Sequence, residues 1–144
     1  MKNEKKEDSL TLPCGHCRAC RIARSREWYV RLYHELLYHE DAVFVTLTYD
    51  EEHLPNNQSI NKNAIQLWMK RLRKEIAPRR IKYYAIGEYG EQTKRPHYHA
   101  IIYNISKREH KMNGTIHAVT GPIVNTWKEG GIGIGTAETN SIRS

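Results

Sequence analysis

The segment RPHYHAII, Arg95 to Ile102, sets two histidines one residue apart at the head of an apolar run. On a strand, residues i and i+2 point to one face about 7 Å apart, so His97 and His99 converge while Tyr98 turns to the other face. A helix would splay them. Two neutral imidazoles on one face can share a divalent ion at about 2.0–2.2 Å. Glu88, near the end of the preceding strand-like run, comes beside the pair if the chain folds back as a hairpin. Two histidines and a carboxylate leave open positions for water or a phosphate oxygen. The other reading of the same residues is a polar strand face turned to water, and the spacing alone leaves both open. A second set lies in CGHCRAC: Cys14, Cys17 and Cys20 have a spacing compatible with structural Zn2+, but no fourth ligand is identifiable. Reduced thiols without a metal are the alternative there.

The composition narrows the partners. Against 16 Asp and Glu stand 23 Lys and Arg, leaving a net charge of +7 and a pI near 9.4. Such a balance favours a polyanion, of which nucleic acid is the commonest. No apolar run approaches the roughly 20 residues that span a bilayer, and the opening MKNEKKEDSL lacks the core of a signal peptide, so the expectation is a cytoplasmic protein without membrane contact. Three cysteines packed into seven residues make no disulfide framework and suit a reducing compartment. A chain of 144 residues has room for one modest core, which predicts a charged, disordered tail over residues 1–12 and a single domain over 13–144.

These side chains need elements to position them. REWYVRLYHELLYHE puts Trp28, Leu32, Leu36 and Leu37 at helical spacing and predicts an amphipathic helix over Ser25–Glu40, with Tyr29 and Tyr33 four residues apart on one face. In AVFVTLT, Val43, Val45 and Leu47 alternate with Phe44, Thr46 and Thr48, a strand with one partly polar face. Asn61 caps a second helix whose apolar stripe is Ile65, Trp68, Leu72 and Ile76, and Pro78 stops it. Opposite that stripe, Lys70, Arg71, Arg73 and Lys74, with Arg79, Arg80 and Lys82 at the exit, predict a basic surface for phosphates; an ordinary solvated helix face is the alternative. Lys94 and Arg95 precede the histidines and would meet the bound strand. Tyr49, Tyr89 and Trp127 could stack on bases. IKYYAIGEYG and RPHYHAIIYN read as a hairpin. Beyond Ile105 the signals weaken to a short helix near Pro122 and a glycine-rich strand in GIGIGTA. The sum is an α+β fold, an antiparallel sheet covered by helices.

HYH resembles the paired-histidine signature of HUH endonucleases, which start rolling-circle replication by nicking one DNA strand with a tyrosine. CGHCRACR, FVTLTYD, IGEYGE and RPHYHAIIYN also follow the order seen in replication initiators of gokushovirus-type Microviridae phages. The likeness runs from about Leu12 to Arg143. It implies a ferredoxin/RRM-like palm, with His97, His99 and Glu88 as ligands of Mn2+ or Mg2+. It matches Thr46 and Thr48 to the first initiator motif, at the DNA. Single-stranded DNA at a replication origin is the implied partner, and site-specific nicking through a phosphotyrosine the implied reaction. The two imidazoles suit Mn2+ better than the harder Mg2+. One departure is expected to matter: the tyrosine helix that should follow the glycine-rich strand is not present before ETNSIRS ends the sequence, which reads as a C-terminally shortened initiator that binds metal and DNA. Tyr29 and Tyr33 imitate a two-tyrosine arrangement and are the internal candidates for nucleophile. The competing class is a basic nucleic-acid-binding module without catalysis. Nothing in the sequence sets an oligomeric state.

Overall fold

The alternation of Val43, Val45 and Leu47 with Phe44, Thr46 and Thr48 becomes, in a computed structural model, strand β1 (Ala42–Thr48), with the first three fully buried. The structure describes residues 11–105, 110–112, 115–117 and 120–136. The expected tail lies almost wholly outside them, as do residues 137–144. Before β1 comes helix α1 (Arg18–Leu37), and after it α2 (Lys62–Glu75), β2 (Lys82–Tyr89) and β3 (Pro96–Tyr103). Then follow β4 (His110–Met112), β5 (Thr115–His117), α3 (Thr120–Thr126) and β6 (Ile132–Thr136). Four strands form one sheet in the order β2-β3-β1-β6, antiparallel at every step, and β4 pairs with β5 separately.

The sheet has two unlike faces. On one, Val43, Val45 and Leu47 of β1 and Tyr98, Ala100 and Ile102 of β3 pack under α2 and α3. Helix α2 supplies Ile65, Trp68, Met69 and Leu72, and α3 with its exit supplies Ile123 and Trp127. Asn61 caps α2 as the sequence predicts, its side chain accepting from the Asn63 N–H at 2.9 Å. The opposite face carries Ala42, Phe44, Ile101 and Tyr103, covered only by Leu32 and Leu36 of α1. No residue of α1 is fully buried.

Helix α1 corrects the sequence reading. It begins seven residues before Ser25, because the Cys17 thiol caps it and accepts from the Cys20 N–H. Of its expected apolar stripe, Leu32 and Leu36 are half-buried while Leu37 is 66% and Trp28 39% exposed. Strands β4 and β5 were not foreseen, although Asn113-Gly114 between them is a strong hairpin dipeptide. The hairpin β2–β3, the short helix near Pro122 and the glycine-rich strand stand where the sequence puts them.

Strand β6 enters the sheet through a turn built around Gly130, whose φ is +156°. A Cβ there would lie 2.2 Å from the Thr48 carbonyl and 2.5 Å from the Asp50 nitrogen. The close approach lets the Thr48 and Asp50 N–H groups donate to the carbonyls of Gly131 and Glu129. Gly133 pairs with Thr46 and Gly135 with Phe44. Beside the polar half of β1, β6 therefore presents bare backbone.

Candidate metal centre and nucleic-acid interface

Register, not proximity in sequence, assembles the histidine cluster. Glu88 on β2 pairs directly with His97 on β3, and His97 and His99 pair with Thr48 and Thr46 on β1. All five residues thus fall on the face away from α2. The Glu88 Oε2 lies 3.5 Å from His99 Nε2 and 3.7 Å from His97 Nε2. One donor atom from each residue lies within 4.8 Å of the other two. The two rings stand nearly perpendicular, 5.0 Å between centroids. The imidazoles are about three-quarters buried and Glu88 is half exposed, so the cluster is open to solvent on one side.

The far nitrogens of both rings are already engaged. His99 Nδ1 lies 3.1 Å from Thr46 Oγ1 and His97 Nδ1 3.4 Å from the Arg95 carbonyl. Donation from Nδ1 in each case leaves the Nε2 lone pair facing Glu88, the tautomer a metal ligand needs. Phe44 stacks on His99 at 5.4 Å and fixes its plane. Burial pushes the His99 pKa down, the Glu88 charge opposing and His97 adding to the shift. A neutral imidazole is thereby favoured at neutral pH. The donor set of two imidazoles and one carboxylate fits Mn2+, or Mg2+ with water completing its shell.

Thr46, expected at DNA, orients a histidine, and Thr48 donates to the Gly131 carbonyl at 3.3 Å. Arg95 is held by the Glu51 carboxylate and the Tyr49 carbonyl. Lys94 is exposed at the hairpin turn with a φ of +55°. The predicted basic surface does not form one patch at the site. Lys70, Arg73, Lys74 and Arg80 are exposed, but α2 lies across the sheet from the histidines. Arg71 forks onto Glu129 at 2.7 and 2.9 Å and onto the Thr126 carbonyl, which makes it a strut between α2 and the β6 turn. Arg79 is half-buried, its N–H bonded to the Ile76 carbonyl. Lys82 lies on the histidine side and pairs with Glu35 of α1 at 2.8 Å. Two of the three expected stacking residues are wrong for physical reasons. Tyr49 and Trp127 are buried at 8% and 4%, with Tyr49 bonded to the Tyr98 hydroxyl and Trp127 to the Thr48 carbonyl. Tyr89 remains half exposed.

Tyr29 and Tyr33 stack on each other along α1, centroids 6.0 Å apart. Tyr29 lines a cavity that His99 also lines, together with Trp28 and Tyr84, which the sequence reading left aside. Alternation along β2 places Tyr84 on the face of Glu88, and that signal could have found it.

The cysteines come together as expected. One thiol from each of Cys14, Cys17 and Cys20 lies within 4.8 Å of the others. The Cys17 N–H donates to Cys14 Sγ at 3.3 Å. This donation, with that of the His16 N–H, lowers the Cys14 pKa to about 7. Such a thiol is substantially thiolate at neutral pH, the form that binds zinc.

An α+β sheet with paired histidines and a carboxylate on its open face is the architecture of an HUH-like protein. The chain belongs to the ORF2-type family of replication-associated proteins, whose model matches residues 42–143. It is 35% identical to the replication-associated protein VP4 of Bdellovibrio phage phiMH2K over 97% of this chain and 48% of that one. It is 40% identical to the replication-associated protein ORF2 of Spiroplasma virus 4, over 66% of this chain and 32% of the relative. Replication-associated protein ORF4 of Chlamydia phage 1 is 35% identical over 68% of this chain and 25% of its own length. The chain thus spans about half the length of the first of these relatives and less of the others. Among the described residues, no helix is long and apolar enough to cross a membrane.

Proposed function

We propose that this chain acts in phage DNA replication by holding a divalent ion and a single DNA strand at an origin. The observation that carries the reading is the convergence of Glu88 Oε2 with the two Nε2 atoms on an open sheet face. The replication-associated names of its relatives give that chemistry its setting. Bound there, Mn2+ or Mg2+ would act as a Lewis acid on a phosphate oxygen. Thr46 and the Arg95 carbonyl keep both imidazoles turned to the ion, and the bare backbone of β6 leaves the phosphodiester room beside Thr46 and Thr48. Lys94 at the hairpin turn is free to meet a neighbouring phosphate.

Nicking requires a tyrosinate as well. Among the nine tyrosines, Tyr29 and Tyr84 line the cavity that His99 shares. Burial raises the Tyr84 pKa and holds it as a phenol. After incubation with Mn2+ and single-stranded phage-origin DNA, intact-mass spectrometry of these 144 residues is expected to show metal-dependent DNA binding and no covalent nucleotide adduct. An adduct mapped to Tyr29 would instead make α1 the source of the nucleophile. Binding to DNA that ignores Mn2+ altogether would favour a basic module without catalysis.

Zn2+ is the ion we assign to Cys14, Cys17 and Cys20, with a ligand from outside this set completing four-coordination. Co2+ titration is expected to give thiolate charge-transfer absorption that Cys17→Ser abolishes. Unchanged absorption in that variant would remove the assignment.

A further inference from the structure

Helix α1 is anchored to the sheet at its C-terminal half only. Leu32 and Leu36 pack on Ile101 and Tyr103, Lys82 reaches Glu35, and the Tyr103 hydroxyl donates to the Leu32 carbonyl. The N-terminal half stands off the sheet and leaves an open cavity of about 540 Å³. Trp28 and Tyr29 line it from the helix, and Phe44, Tyr84 and Ile86 from the sheet. Trp28 and Tyr84 sit 4.9 Å apart at its wall. Arg21 and Arg24 line it from α1, both are exposed, and neither has an acidic partner among the described residues. His99 belongs both to this cavity and to the metal cluster.

We propose that this cavity takes one unstacked nucleobase of the strand whose phosphate lies at the metal cluster, with Arg21 and Arg24 on the adjoining phosphate. The inference rests on the functional reading above and names the subsite that would make it selective for single strands. Three features point to this occupant. The volume falls in the range of about 300–1,000 Å³ that encloses a small ligand. Its aromatic walls offer π-faces to a flat ring, the sequence-tolerant way single strands are held. Its two unpaired guanidinium groups match a phosphate, which they can bind through two parallel donors, and would repel a basic protein segment. A base paired in a duplex cannot enter, because its edges and both faces are occupied. Continuity through His99 puts the held nucleotide next to the one whose phosphate meets the ion.

The test is photocrosslinking of the whole chain to oligo(dT) carrying one 5-iododeoxyuridine at successive positions, with peptide mapping, in Mn2+ and in EDTA. Adducts on Trp28, Tyr29 or Tyr84 are expected in both buffers. Excess dTMP should suppress them and inorganic phosphate should not. The double variant Arg21→Ala and Arg24→Ala, both at exposed positions, is expected to lower oligo(dT) affinity about tenfold. Its Mn2+ binding should be unchanged. Adducts confined to exposed rings elsewhere, such as Tyr38 or Tyr89, overturn the proposal, as does the absence of any adduct. Equal affinity for single-stranded and duplex DNA in the native chain also overturns it. Failure of the metal reading looks different: Mn2+ would not bind, while the adducts on α1 persisted.

Discussion

Replacing His97 and His99 together by alanine is expected to lower Mn2+ affinity by more than about 100-fold, because loss of an outer-shell partner alone typically costs 10–100-fold. Glu88→Gln keeps the shape of the third ligand and removes its charge, so a smaller loss is expected. Thr46→Val leaves all three ligands and removes only the partner of His99 Nδ1, and about tenfold is expected. Titration calorimetry with Mn2+ reads all three. A double-histidine variant that binds Mn2+ like the native chain would dispose of the metal centre. Acid gives an independent check. Affinity should fall as pH drops through about 6.5, where an ordinary imidazole takes up a proton and can no longer coordinate. Burial lowers the His99 pKa and keeps this ligand available in more acid solution. In the metal-free chain the same shift means that the unfolded state binds the proton first on acidification. The contribution of His99 to folding stability therefore rises with pH through that interval and levels off above the unfolded value.

The metal cluster was legible because both its periods are short. Strand alternation fixes that His97 and His99 share a face, and the hairpin between Gly90 and Arg95 brings Glu88 opposite His97. Turn chemistry was enough: the Gly90 N–H and the Arg95 carbonyl close the loop at 3.0 Å. The basic surface failed for want of one further step. Val43, Val45 and Leu47 form the apolar face of β1, and the stripe of Ile65, Trp68 and Leu72 has to cover it. The polar face with Thr46 and His99 must then lie on the other side of the sheet, and the cations opposite the α2 stripe point away from it. That reasoning uses only the sequence, and it assigns Arg71 and Lys74 correctly.

Other features were not accessible in that way. The start of α1 depends on a cysteine thiol serving as cap, a residue type that cap preferences do not include. The cavity beside His99 exists because α1 leans on the sheet at one end, through Leu32, Leu36 and the Lys82–Glu35 pair. Long-range pairs of that kind leave no local periodicity. Burial of Tyr49 is similar: its hydroxyl joins a chain running through Tyr98 to the Asn61 carbonyl, and a tyrosine in a loop sequence gives no sign of it.

Trp68→Ala is expected to cost about 3–5 kcal/mol, the range for removing a large buried aromatic. Trp68 is fully buried on α2 and meets Trp127 edge to face at 6.2 Å. Its indole N–H donates to Thr126 Oγ1 at 3.0 Å. Trp127 in turn donates to the Thr48 carbonyl, so the cavity left by Trp68 would open at the joint between α2, α3 and the end of β1. Against the roughly 5–15 kcal/mol that holds a typical domain, such a loss leaves little margin. Trp68→Phe separates packing from hydrogen bonding. The ring still fills most of the space, and Thr126 Oγ1 keeps its donation to the Pro122 carbonyl at 2.7 Å. About 1–2 kcal/mol is expected for that variant, from a modest void and one lost bond. Urea unfolding followed by circular dichroism measures both values. The Mn2+ affinity of the folded phenylalanine variant should match the native chain, since Trp68 and the ligands lie on opposite faces of the sheet. A cost below about 1 kcal/mol for Trp68→Ala would mean that the α2 face is not the principal core. A weakened metal site in a fully folded Trp68→Phe chain would mean that β1 transmits packing from one face to the other through Thr48 and its partner His97.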